Sequence, residues 1–183
     1  MDPTLRTNLN KLWSQDRELQ GQAFQAMLKA TDIPVDWAYE AWDELLQGLS
    51  HADNHDRAIA AQVLCNLVKS DPQKRMLQDF AALLAVTKDE RFVTARHTMQ
   101  SLWKVGVAGP EQREMYLKGM EQRFHECLSE KNWEMIRSDI QKSLRNVYDV
   151  VKDEQIRLRA LRLMDTEKDP KSRKKYLAPW RKK

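Results

Sequence analysis

Residues Trp133–Val151 read WEMIRSDIQKSLRNVYDVV. Trp133, Ile136, Ile140, Leu144, Val147 and Val151 recur there at steps of three and four, which places them on one side of a helix of about five turns. Most of the remaining positions are polar, so the segment predicts an amphipathic helix with its apolar side buried. The same spacing appears on either side of it. Downstream stand Ile156, Ala160, Leu161 and Met164; upstream, Leu117, Met120, Phe124, Cys127 and Leu128 follow Pro110. Earlier still come Phe92, Ala95, Met99, Leu102 and Trp103, then Met76, Leu77, Phe80, Leu83 and Leu84, and Ile59, Ala60, Val63, Leu64, Leu67 and Val68. Residues 35–49 contribute Ala38, Ala41, Trp42, Leu45, Leu46 and Leu49, and the N-terminal stretch adds Leu5, Leu9, Leu12 and Trp13, then Phe24, Met27 and Leu28. No alternating, strand-like run separates these stripes.

Punctuation agrees with the periodicity. Asp2-Pro3, Asp71-Pro72, Gly109-Pro110 and Asp169-Pro170 each predict a helix start, because the first residue can cap free N–H groups and proline needs none at the first helical position. Ile33-Pro34 with Asp36 predicts another, and Ser50-x-x-Asp53, Asp53-x-x-Asp56 and Thr87-x-x-Glu90 resemble capping boxes. Five Gly and six Pro among 183 residues are about half the usual ~12%, which leaves little room for loops. The expected fold is all-α, with eight to ten helices joined by short connections and consecutive helices antiparallel. Helix pairs recur about every 37–40 residues, and one pair cannot cover both of its apolar faces alone. Stacking on the next pair solves that problem and predicts a right-handed α-α superhelix.

At Ile136-Arg137, followed by Ile140, Ser143, Leu144 and Val147, and at Ile156-Arg157, followed by Ala160, Leu161, Leu163 and Met164, the chain resembles the HEAT/armadillo class. In a HEAT repeat the second helix opens with a branched apolar residue and Arg. Asp56-Arg57, with Ala60, Ala61, Val63, Leu64 and Leu67, has a similar shape, and Arg91 precedes the Phe92 segment. The resemblance covers about 35–165 and implies a short HEAT-like solenoid used as a binding scaffold. On that basis Arg57, Arg91, Arg137 and Arg157 are the candidate partner-binding residues.

Charge divides the chain. Residues 168–183 carry eight Lys/Arg against one Asp, more than the whole-chain net charge of +4, so residues 1–167 are net acidic. The expected organisation is one helical-repeat domain over 1–167 and a basic segment over 168–183, either a capping helix or a disordered end. Arg159, Arg162, Lys171, Arg173, Lys174, Lys175 and Arg181 are the candidates for a phosphate or an acidic partner. Trp180 is expected to anchor that segment on the last helices or to sit on a partner.

Other chemistries find little support. His51-Ala-Asp53-Asn-His55-Asp56 holds metal-ligand residue types, but Ser50 and Asp53 put it at a helix entrance, and neither HExxH nor a nearby Cys accompanies it. Phosphate-loop, dinucleotide-binding and GxSxG patterns are absent. Cys65 and Cys127 lie on apolar stripes and read as small buried hydrophobes. No catalytic residue, metal or cofactor is assigned. No apolar run is long enough to span a bilayer, and Met1-Asp-Pro-Thr4 lacks the features of a secretion signal, so the expected location is cytoplasmic. The function that follows is non-catalytic binding of another protein through a concave helical face. The alternative is nucleic-acid binding or DNA repair through the basic C-terminal end, since the HEAT-like alkylpurine DNA glycosylases are similar in helical repeats, tryptophans and basic surface.

Overall fold

A computed structural model describes residues 1–181; Lys182 and Lys183, the last two residues of the basic segment, lie outside the described residues. Every regular element among them is helical: α1 (Pro3–Lys11), α2 (Arg17–Ala30), α3 (Ala38–Gly48), α4 (Asn54–Leu67), α5 (Met76–Ala85), α6 (Phe92–Ser101), α7 (Trp103–Val107), α8 (Pro110–Glu126), α9 (Trp133–Val151), α10 (Glu154–Asp165) and α11 (Pro170–Leu177), with short 3-10 turns after α4, α5, α8 and α11. None of these helices is long and apolar enough to cross a membrane.

Helix starts follow the expected chemistry in most places. Asp2 accepts N–H groups from Thr4 and Leu5, with Pro3 at the first helical position, and Asp169 accepts from Ser172 ahead of α11. Asp53 and Asp153 cap α4 and α10 in the same way. Asp71-Pro72 behaves differently. Lys74 takes a left-handed conformation at φ 55°, the chain turns, and α5 begins only at Met76. The Asp71 carboxylate still accepts from the Arg75 and Met76 N–H groups, at 2.9 and 2.8 Å. The Thr87 hydroxyl donates back to Leu84 O, and Asp89 accepts the Arg91 N–H ahead of α6. The stripe over 92–103 is cut at Leu102 into α6 and the short α7.

The chain forms two compact units, 1–101 and 102–181, where the sequence suggested one domain over 1–167 with an appended basic segment. Lys171, Arg173, Lys174 and Lys175 of that segment lie in α11, a helix of the second unit. In the first unit α1 packs on α2, α3 on α4, and α5 with its 3-10 turn meets α6 through that turn. Helices two apart also meet: α2 with α4, α4 with α6, and α3 with α5. The second unit repeats this pattern, with α7, α9 and α11 in one row and α8 and α10 in the other. Most helices thus cover their apolar side with a neighbour in the chain and with a helix two places along it.

Composition explains which helices lie deepest. α4 is buried over nearly its whole last three turns, and Ala58, Ala60 and Ala61 let its neighbours approach closely. Gly48 serves the same purpose on α3, where a Cβ would stand 2.5 Å from the Trp13 ring and 2.9 Å from Ala60 Cβ. Trp42 is fully buried and its indole N–H donates to Asp79 at 2.8 Å, while Trp13 donates to Glu44 at 2.6 Å. Cys65 and Cys127 are buried and form no disulfide. In the second unit Tyr176 is fully buried on Phe124, its hydroxyl unpaired, and burial pushes its pKa up to about 12.

Polar side chains bind one helix pair to the next. Gln20 donates to buried Asp56 at 2.6 Å, Asn66 to Thr31 at 3.1 Å, Tyr39 to Asp71 at 2.6 Å, and Arg57 grips Asp89 through two nitrogens at 2.5 and 2.9 Å. In the second unit Arg159 holds Glu121, Arg137 holds Glu167 and Ser172 donates to Glu134. Most cross-links of this kind join residues 30–41 positions apart, close to one helix pair.

Candidate functional site

Arg57, Arg91, Arg137 and Arg157 fall into two kinds of environment, enclosed and exposed. Arg137 is 3% exposed: Nε donates to Phe124 O at 2.9 Å, Nη1 pairs with Glu167 at 2.9 Å, and the guanidinium lies 4.2 Å from the Phe124 ring centre. The residue expected to meet a partner is thus enclosed, with Nε and Nη1 both engaged inside the second unit. Arg57 is similarly employed. Beyond Asp89 it donates to the carbonyls of His51 and Ala52, closing the loop ahead of α4, and its hydrogen bond to Asp89 raises its pKa. Arg91 and Arg157 are exposed, and Arg157 makes an in-helix pair with Glu154 at 3.1 Å.

The expected anion-binding cations also separate. Arg159 is held by Glu121 at 2.5 and 2.9 Å and by Glu114 at 2.7 Å; the Glu121 hydrogen bond drives its pKa above the ordinary arginine value. Arg173 pairs with Asp165 and Lys175 with Glu134, whose carboxyl is held below its usual range by Lys175 and then Ser172. Arg162, Lys171, Lys174 and Arg181 are exposed. Trp180 takes the anchoring role. Its indole N–H donates to Gln141 at 3.0 Å, its ring lies 5.7 Å from that of Tyr148, and Arg145 stands over both rings.

Two grooves in the second unit gather these residues. One, of about 740 Å³, runs between α8 and α10 and brings Lys118 and His125 opposite Arg159 and Arg162, with Glu121 the carboxylate in its lining. Lys118, Glu121, Gln122 and His125 recur at helical spacing on α8; Gln155, Arg159, Arg162 and Thr166 do so on α10. The other, of about 570 Å³, lies between α9 and α11 and is lined by Lys142, Arg145 and Lys175 together with Asp149. Lys118, His125, Lys142 and Arg145 were not among the sequence candidates. Their only signal is position: 138, 142, 145 and 149 step by four, three and four along the polar side of α9, a pattern any solvated face shares.

The histidine cluster has a structural explanation. His51 Nδ1 stands 2.9 Å from Asp56 and its ring stacks on Trp13, while Asp53 is occupied by Arg17 and by capping α4. Among the described residues no group of three or more His, Cys, Asp or Glu side chains is placed to hold a metal ion.

No family model matches the chain, and neither does any curated protein sequence. Among solved structures it is similar to the crystal structure of an engineered protein from the Northeast Structural Genomics Consortium, with a TM-score of 0.59 and 15% identity over 96% of this chain and 77% of that one. At that identity the likeness concerns the helical fold alone.

Proposed function

We propose that this chain is a non-catalytic, HEAT-like scaffold that binds an acidic segment of another protein along the groove between α8 and α10. The observation that carries this reading is the groove itself. Arg159 is fixed at its base by Glu121 and Glu114, while exposed Lys118 and Arg162 present positive charge from the two facing helices. A side chain already held in place loses little freedom on binding, which favours recognition over a floppy cationic surface. The repeating cross-links between helix pairs support the solenoid part of the reading, since they give each unit a rigid face. A cytoplasmic setting fits two cysteines that remain thiols.

The test is affinity capture with the intact chain and with a Lys118→Glu, Arg162→Glu variant whose helical circular dichroism matches it. The variant should lose the captured protein at ~50 mM salt, where charge pairing is strongest; undiminished capture shows that this groove is not the binding face. The nucleic-acid reading rests on exposed Lys171 and Lys174 of α11. Deleting α11 would uncover the core around Tyr176, so a Lys171→Glu, Lys174→Glu variant is the proper control. Loss of retained DNA or RNA in that variant, with steep salt dependence in the parent, would favour nucleic acid over protein.

A further inference from the structure

The groove between α9 and α11 is built differently from its counterpart between α8 and α10. Arg145 lines it and is only 17% exposed in its side chain. Nε lies 2.9 Å from both carboxylate oxygens of Asp149, Nη1 donates to the Pro179 carbonyl at 3.1 Å, and the Tyr148 and Trp180 rings flank the guanidinium. Two lysines line the same groove. Lys142 rises from α9, 58% exposed and 3.9 Å from Asp139; Lys175 rises from α11, 50% exposed and 3.0 Å from Glu134. Exposed pairs of this kind hold their lysines weakly, so both can turn toward a stronger anion. Ser138 and Asn146 add a neutral hydroxyl and amide to the same lining.

A single carboxylate would leave part of this set unused. A phosphoryl group carries up to two negative charges and three acceptor oxygens, enough to bridge both ammonium groups while also accepting from neutral donors. We propose that the α9/α11 groove is a binding site for a phosphoryl group, presented by a phosphorylated side chain or as free phosphate. The site stands apart from the α8/α10 groove and does not depend on how that groove is used. The apolar backing of Ala178 and Pro179 leaves room for the carbon stem of a phosphorylated residue.

Isothermal titration of the full chain with inorganic phosphate, a short phosphoserine peptide and the same peptide with serine tests the proposal. The phosphopeptide should bind at least about tenfold more tightly than its serine counterpart, and Lys142→Glu should weaken it by about tenfold or more, because a charged hydrogen-bond partner becomes a repulsive one. The Lys142 side chain is 58% exposed and 3.9 Å from Asp139, so that variant should keep its helical circular dichroism; Lys175→Gln gives a second, milder reading. A phosphopeptide that outcompetes inorganic phosphate identifies a phosphorylated side chain as the source, and equal affinities identify free phosphate. Binding of both peptides alike, indifference to both lysine substitutions, or no binding of phosphate and phosphopeptide up to ~10 mM overturns the proposal.

Discussion

Gly48 and Gly21 both lie inside helices, and replacing them with alanine should move stability in opposite directions. A methyl group at Gly48 meets the rigid Trp13 ring and Ala60, so Gly48→Ala should destabilise the protein by about 1–3 kcal/mol through overpacking. Nothing lies within 4 Å of a Cβ at Gly21, so Gly21→Ala should stabilise it by about 0.5–1 kcal/mol through the lost flexibility of the unfolded chain. Thermal melts of the two variants read the sign directly, and shifts in the same direction would contradict the packing at Gly48. The Ile-Arg pairs show where residue-level reading ends. Ile136 and Ile156 are both buried, as their spacing predicts, yet Arg137 is enclosed and Arg157 is exposed. The arginine sits about 100° around the helix from its isoleucine. Whether another helix covers that side depends on packing partners, which a local motif does not encode.

At the scale of the element, the Arg57–Asp89 link ties the start of α4 to the turn before α6. Burial alone would raise the Asp89 pKa, but the Arg57 hydrogen bonds and the Arg91 N–H outweigh it and hold the carboxyl below its ordinary value. A carboxyl with a depressed native pKa stabilises the fold above its unfolded pKa of about 3.9, and that stabilisation is lost as pH falls through the lower native value. Asp89→Asn should therefore cost about 1–3 kcal/mol in urea unfolding at pH 7, with the gap to the parent closing below about pH 4. A gap that persists unchanged at pH 2 would show that the ion pair contributes nothing. Helix starts were readable wherever aspartate and proline adjoin the first turn, as before α1 and α11. α5 was not, because the left-handed Lys74 inserts a turn between Asp71 and the helix that no residue preference marks.

On the scale of the molecule, the all-helical class and the buried stripes were readable from periodicity alone. The division at 101/102 was not, since it falls inside an apolar stripe where neither glycine nor proline marks a boundary. The two grooves escaped notice for a related reason. Lys118 and Lys142 look like ordinary solvated residues on their own helices, and only the neighbouring helix turns them into facing walls. The cross-links 30–41 residues apart also have a mechanical consequence. On the solenoid reading proposed above, a unit fastened pair to pair has no single point that bears all the load. Stretched from its ends in an optical trap, each unit should peel away stepwise. A typical step would free about one pair and lengthen the tether by roughly 100 Å, where a closed bundle would give way in one long rip.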